Sequence, residues 1–243
     1  MKTVIFANRV MKEIRRDPIS LFFGLVFPLI LLLLLSAINS SIPVDLFNIS
    51  SLAPGIAVFG LSFMALFTAQ VVAKDRASSF LTRLFTTPMA SHNFILGYTL
   101  PLIVMSVIQA AICLFSALFL GLDFTITIFA VILILIPMAL IYIGTGLICG
   151  TLFSEKAAVG ICGALLTNVS AWLSGVWFDL ELVGGFFKEI AYVLPFVHAV
   201  ELGKAVLNGY YENIFPHLWW VMGYAIIIVA ISIVVFKKKT QEV

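Results

Sequence analysis

Apolar residues in this chain come in long blocks, and the polar ones are confined to the short intervals between them. Six blocks, at 21–38, 52–73, 94–118, 126–153, 157–177 and 218–236, carry almost no charge. Each has about the 20 residues that cross a hydrocarbon core at roughly 1.5 Å of rise per residue. Turn-formers stand at the breaks. Asn39-Ser40-Ser41-Ile42-Pro43 ends the first block, Gly121-Leu122-Asp123 parts the third from the fourth, and Ser154-Glu155-Lys156 makes a tight turn into the fifth. The pattern predicts an all-α integral membrane protein with six transmembrane helices in a single domain over 1–243. The 21–35 run is too long and too far from the start for a cleaved leader, so it is kept as the first span.

Three intervals have patterns of their own. In 1–17, Phe6, Ala7, Val10, Met11 and Ile14 recur at helical spacing among Lys2, Arg9, Lys12, Arg15 and Arg16. This predicts an amphipathic helix lying in the membrane interface, its apolar side in the acyl boundary and its cations among headgroups. Asp17-Pro18 then turns the chain, because proline disfavours helix in the residue before it. In 74–93, Phe80, Leu81, Leu84 and Phe85 share one helical face, Asp75, Arg76 and Arg83 occupy the rest, and Thr86-Thr87-Pro88 ends the helix. Such a helix either docks in a groove on a partner or packs on the membrane surface. The apolar runs in 178–217 are too short to span and are broken by Gly184-Gly185, Pro195 and Pro216. They read as a re-entrant helical hairpin between the fifth and sixth spans, packed on the bundle.

Composition removes the water-soluble alternatives. The chain is 62% hydrophobic and 11% charged with a mean hydropathy of +1.16, whereas soluble domains run at about 45–50% apolar and about 25% charged. Fourteen basic residues nearly cancel twelve acidic ones, so there is no footprint for nucleic acid. Their placement is one-sided: twelve Lys and Arg fall in the intervals on one side, and only Lys188 and Lys204 on the other. The positive-inside rule then puts both termini in the cytoplasm of a multi-pass plasma-membrane protein, and the compact loops suit a prokaryote. Cys113, Cys149 and Cys162 sit singly within apolar runs and read as packing residues.

Candidate chemistry within the spans is sparse. Gln70, Gln109 and Asn168 are intramembrane amides, suited to bridging helices or to lining a pathway. Gly144, Gly146 and Gly150, with Gly160 and Gly163, would let the fourth and fifth helices approach closely. His198 and Glu201 are spaced as some metal or acid–base pairs are, yet no further ligand accompanies them; with Pro195 they read as polar contacts of the outward hairpin, and no metal or catalytic set is assigned. Trp172, Trp177, Trp219 and Trp220 fall at span ends, as interface anchors do. A membrane hydrolase is disfavoured by the lack of a G-x-S-x-G elbow. A secondary transporter or channel is disfavoured by the lack of a repeat or a charged midplane residue.

Several motifs, taken in order, resemble the permease subunit of ABC-2 type (type V exporter-like) ABC transporters, and the likeness covers nearly the whole chain. The second span opens Leu52-Ala53-Pro54-Gly55-Ile56. The loop Asp75-Arg76-Ala77-Ser78-Ser79-Phe80-Leu81-Thr82-Arg83-Leu84 leads into Thr87-Pro88-Met89 and Ile95-Leu96-Gly97. That loop is most similar to permeases of the daunorubicin drug-resistance type, with Ser79 where the pattern often has glycine. Leu194-Pro195-Phe196-Val197-His198-Ala199-Val200-Glu201, then Gly209, resembles the family's outward hairpin. The resemblance implies a homodimer or related heterodimer of permeases in membrane lipid, with two ABC ATPase subunits beneath it. It implies that 74–87 acts as the coupling helix, with Asp75, Arg76, Phe80, Leu81, Arg83 and Leu84 as contacts and Glu155 and Lys156 as a second coupling turn. A hydrophobic or amphipathic cargo, as in multidrug efflux, would move outward. The chain has no G-x-x-x-x-G-K-[ST] loop, so it is expected to bind no cofactor, ATP and Mg2+ being used by the partner, and not to be an enzyme by itself.

Overall fold

The structure, a computed structural model, describes residues 2–41, 48–78, 80 and 91–241. Leu81, Arg83, Leu84 and the Thr86-Thr87-Pro88 stop lie outside the described residues. Those described are mostly helical, with no strand among them.

Helix α1 (Lys2–Arg15) stops at Asp17, whose carboxylate accepts the Ile19 and Ser20 amides and so caps α2 (Pro18–Ser41). Proline in the first turn needs no N–H partner there, which makes the Asp-Pro pair a sharp helix start. Then follow α3 (Ile49–Ala77), α4 (Ser91–Leu118) and α5 (Thr127–Leu152). Leu135 interrupts α5 two residues before Pro137, whose missing N–H and ring break the helical ladder. Helix α6 runs over 155–172, with a π-wound middle at Gly160–Leu166. Short α7 (Leu180–Val183) precedes α8 (Gly185–Val193) and α9 (Pro195–Asn208), which meet at a 76° bend. Helix α10 (Ile214–Gln241) closes the chain.

Five helices, α2, α3, α4, α5 and α10, are long and apolar enough to cross a bilayer by themselves. The expected fifth crossing at 157–177 is shorter: helix ends at Trp172 and 173–179 is irregular. Its course still follows that of α3 from end to end. Phe153, just before α6, is bonded to Arg76; Gly163 faces Leu66, and Val176 lies against Gly55. The bend between α8 and α9 falls at Leu194-Pro195, where a proline break was expected, and by length and composition the pair suits a broken span as well as a re-entrant hairpin.

Helix α3 is the core of the bundle, 89% buried over its most apolar stretch against 22% for α2 and 17% for α10. Glycine makes room around it. A Cβ at Gly146 would stand 2.4 Å from the Ala65 carbonyl oxygen, and one at Gly150 would stand 2.8 Å from that of Ala69. These glycines seat α5 on α3, not on α6 as expected, while Gly144 faces Ile228 of α10 and Gly160 meets nothing within 4 Å. The periodicity of small residues shows that a close approach exists but not which neighbour makes it.

The apolar face of α1 also departs from expectation. Phe6, Val10 and Ile14 are buried in protein, and Val4 and Ile5 are exposed. Phe6 packs edge-on against Phe94 and Tyr98, in a notch that Gly97 leaves open. A pocket of aromatic rings competes with lipid for the same side chain and wins on packing. Helix α1 and the end of α10, where Phe236 lies 6.4 Å from Phe94, thus lie at one end of the bundle, with the start of α4, the end of α3 and the α5–α6 turn. Nearly all the cations are there, so it is called the basic end.

Candidate functional site

Asp75 is the hub of the basic end. Its carboxylate, near the close of α3, is 2% exposed, where an unpaired charge would be costly. Arg9 of α1 clasps it through both terminal nitrogens, Nη2 donating to Oδ1 at 2.6 Å and Nη1 to Oδ2. Tyr98 of α4 donates its hydroxyl to Oδ2 at 2.7 Å. Planar, bidentate pairing of this kind is the strong form of an ion pair. Arg9 Nη2 also lies 2.9 Å from Glu13 Oε2, off the hydrogen-bond axis, and Lys74 reaches the other Glu13 oxygen at 3.2 Å. Phe80 places its ring 4.4 Å beneath the Arg9 guanidinium, a cation–π contact. Burial pulls the Arg9 pKa down, but the bond to Asp75 and the charges of Asp75 and Glu13 outweigh it and hold Arg9 above its ordinary value.

The next residue reaches the other way. Arg76 donates to the carbonyl oxygens of Thr151 and Phe153, at the end of α5. The last carbonyls of a helix have no partner within it, so one guanidinium from α3 finishes α5. Ser154 then starts α6, its hydroxyl accepting the Ala157 amide at 3.4 Å, while Glu155 and Lys156 are exposed. Adjacent side chains of α3 therefore tie it to α1 and α4 on one side and to the α5–α6 turn on the other.

Of the residues expected at the coupling loop, Asp75, Arg76 and Phe80 come together here, with Asp75 and the Arg9 contact turned inward. Among the expected interfacial residues, Phe6, Arg9 and Val10 belong to this junction, and Arg15 and Arg16 are exposed. Tyr98 escaped the sequence reading; a tyrosine beside Gly97, one turn inside an apolar block, was the signal available.

A cavity of about 890 Å³ opens beside the junction, between the polar face of α1 and the end of α3. Gln70 lines it, one turn from Lys74, and its side-chain amide has no hydrogen-bond partner among the described residues. The other two amides differ. Gln109 of α4 is fully buried against Gly60 of α3, its Nε2 donates to Cys113 Sγ on its own helix at 3.4 Å, and its Oε1 has no partner among the described residues. Asn168 is exposed on α6 and donates back to the Ala164 carbonyl at 2.7 Å.

The opposite end is closed by rings. His198 of α9 and His217 of α10 face each other, Nδ1 to Nδ1, at 2.8 Å, and His198 Nε2 lies 2.9 Å from the Tyr192 carbonyl. That carbonyl only accepts, so His198 carries its proton on Nε2 and accepts at Nδ1 from His217, a tautomer assigned from its partners. Trp220 stacks on His198 at 5.1 Å with rings 4° apart, and Tyr224 donates to the Val193 carbonyl at 2.8 Å. Glu201 pairs with Lys204 at 2.8 Å rather than with His198, and Pro195 opens α9. No group of three or more His, Cys, Asp or Glu side chains among the described residues could hold a metal ion.

Comparison with known proteins places these features in a family. Two red-algal proteins named as transport permeases, ycf38 of Pyropia yezoensis and of Porphyra purpurea, are 30% and 31% identical to this chain over 120 residues. Each alignment covers 47% of this chain and 41% of the relative, so the chain spans well under half the length of the relatives it matches. The sequence pattern of the ABC-2 type transporters matches residues 1–208. With a match over that much of its length, this helical membrane protein belongs to the ABC-2 type transporter family.

Proposed function

We propose that this permease is the membrane half of an ATP-driven exporter, paired with a second permease chain and driven by separate ATPase subunits at its basic, cytoplasmic end. The observation that carries the reading is the pair of bonds made by Asp75 and Arg76. The root of the 74–93 loop is bound at once to α1, to α4 and to the α5–α6 turn. A push delivered to that loop therefore moves three parts of the bundle together, as a coupling element requires. Two discrete arrangements of such a network, biased by a docked partner, are how a local contact becomes a global change. The exposed Glu155 and Lys156 stand where a second contact would fall. Gln70 lines the cavity between α1 and α3, which favours that side of the bundle for the pathway. Polar groups at membrane depth need water, protein or cargo beside them.

The test is a nanodisc pull-down with the tagged chain, followed by ATPase assay of the eluate. Wild type is expected to retain an ATPase subunit. Leu84→Asp and Arg83→Glu should lose it or uncouple it from transport, and Arg76→Gln should keep the partner bound while lowering transport per ATP. Recovery of folded chain with no nucleotide-hydrolysing partner would favour a channel or secondary transporter instead.

A further inference from the structure

The cavity beside α1 has a charge arrangement that the junction does not use. Four cations line it, but Arg9 is spent on Asp75 and Glu13, and Lys74 on Glu13. Asp17, also on the wall, turns its carboxylate to Ser20, with Oγ to Oδ2 at 2.6 Å, and to the start of α2. Lys12 and Arg16 remain, both exposed at the rim and without an ion partner among the described residues. Lys12 stands in the last turn of α1 and Arg16 in the turn just beyond its end, and both border the same cavity. Deeper in, the wall turns apolar through Ile14, Phe67 and Val71, with the amide of Gln70 among them. At about 890 Å³ the space matches the roughly 300–1,000 Å³ of small-molecule sites.

We infer that this cavity receives a single-chain amphipathic anion from the basic side, its phosphate, sulfate or carboxylate head between Lys12 and Arg16 and its tail against Phe67 and Val71. The inference rests on the transporter reading, since it names the class of cargo the permease accepts. Arginine matches an anionic head in a planar fork, and lysine adds a point charge beside it. Gln70 Nε2 supplies a donor to an acceptor carried further along the ligand, which gives an amide at that depth its use. The apolar floor accounts for a tail, and the paired rim cations for a head of opposite sign.

Calorimetric titration of the purified permease, in phosphatidylcholine nanodiscs without any ATPase, would decide it, with empty nanodiscs as the blank. Decyl phosphate is expected to bind about tenfold more tightly than decyltrimethylammonium, a matched chain of opposite charge. Lys12→Ser with Arg16→Ser should erase that preference, and Gln70→Leu should leave it in place, because a plain decyl chain offers Nε2 no acceptor. Equal binding of the two probes by the unmodified chain would overturn the inference without any variant. So would full displacement of decyl phosphate by phosphatidylglycerol in the nanodisc, which would make the rim an anchor for bilayer lipid. The ATPase pull-down on the same wild-type preparation is read separately. Anion binding without a captured ATPase would sink the transporter reading, and a captured ATPase without anion selectivity would sink only this one.

Discussion

At the basic end the helices are joined by formal charges; at the opposite end they are joined by neutral rings. Asp75 is nearly inaccessible and depends on Arg9 for a countercharge. His198 lies against His217, Trp220 and the Tyr192 carbonyl, with no formal charge needed in any bond. A buried ion pair is costly to break because removing one partner strands the other. A neutral hydrogen bond or stacked ring contributes less and is lost more gently. The basic end thus resists partial rearrangement and suits an all-or-none response to a docked partner. The opposite end tolerates adjustment between α8, α9 and α10.

The largest test of this contrast is Arg9→Met. Stranding Asp75 is expected to cost about 3–5 kcal/mol in thermal unfolding of the detergent-solubilised chain. Adding Asp75→Leu should restore most of it, and a single variant as stable as wild type would show that the pair is not the hub. Tyr98→Phe removes one donor from a charged acceptor that Arg9 still holds. Its expected cost is about 1.5–3 kcal/mol, and a loss as great as that of Arg9→Met would mean the tyrosine carries the charge balance. At the other end His217→Phe keeps a ring but gives up the bond to His198, for about 1 kcal/mol. Should it match Arg9→Met, the two ends would not differ as described. Smallest is Lys188→Ala, which deletes the exposed pair with Glu181. Exposed ion pairs are screened by water and salt, so no shift in melting temperature is expected, and a clear one would show that the hairpin relies on charge after all.

Much of the fold was legible in the residue order because hydropathy is a property each residue contributes locally. Five of the six expected crossings are long apolar helices, and the break at Leu135 follows from Pro137. The hairpin bend falls between Val193 and Pro195, where the proline stands. Legibility failed wherever a residue had to choose among partners. Phe6 was amphipathic by pattern, yet its destination was the notch over Gly97. Gly146 and Gly150 announced a close contact, but α3, not α6, supplied the opposing backbone. His198 and Glu201 shared a spacing and took different partners, His217 and Lys204. At the candidate junction, Asp75 and Arg76 were visible as loop residues, whereas Tyr98 and the bonds to Arg9, Thr151 and Phe153 were not.

What the sequence determined by itself is what water and lipid decide one residue at a time. It set which stretches are helical and membrane-bound, where they break, and which end gathers the cations. Bilayer transfer energies and the cost of unpaired backbone groups act on every segment whatever its neighbours are. Only the tertiary structure decided that α3 is the core, that Arg9 meets Asp75 across 66 residues of chain, and that two cations without an ion partner among the described residues border a cavity. Those outcomes depend on packing and on pairs of charges brought within a few ångströms, and distance along the chain carries no record of either.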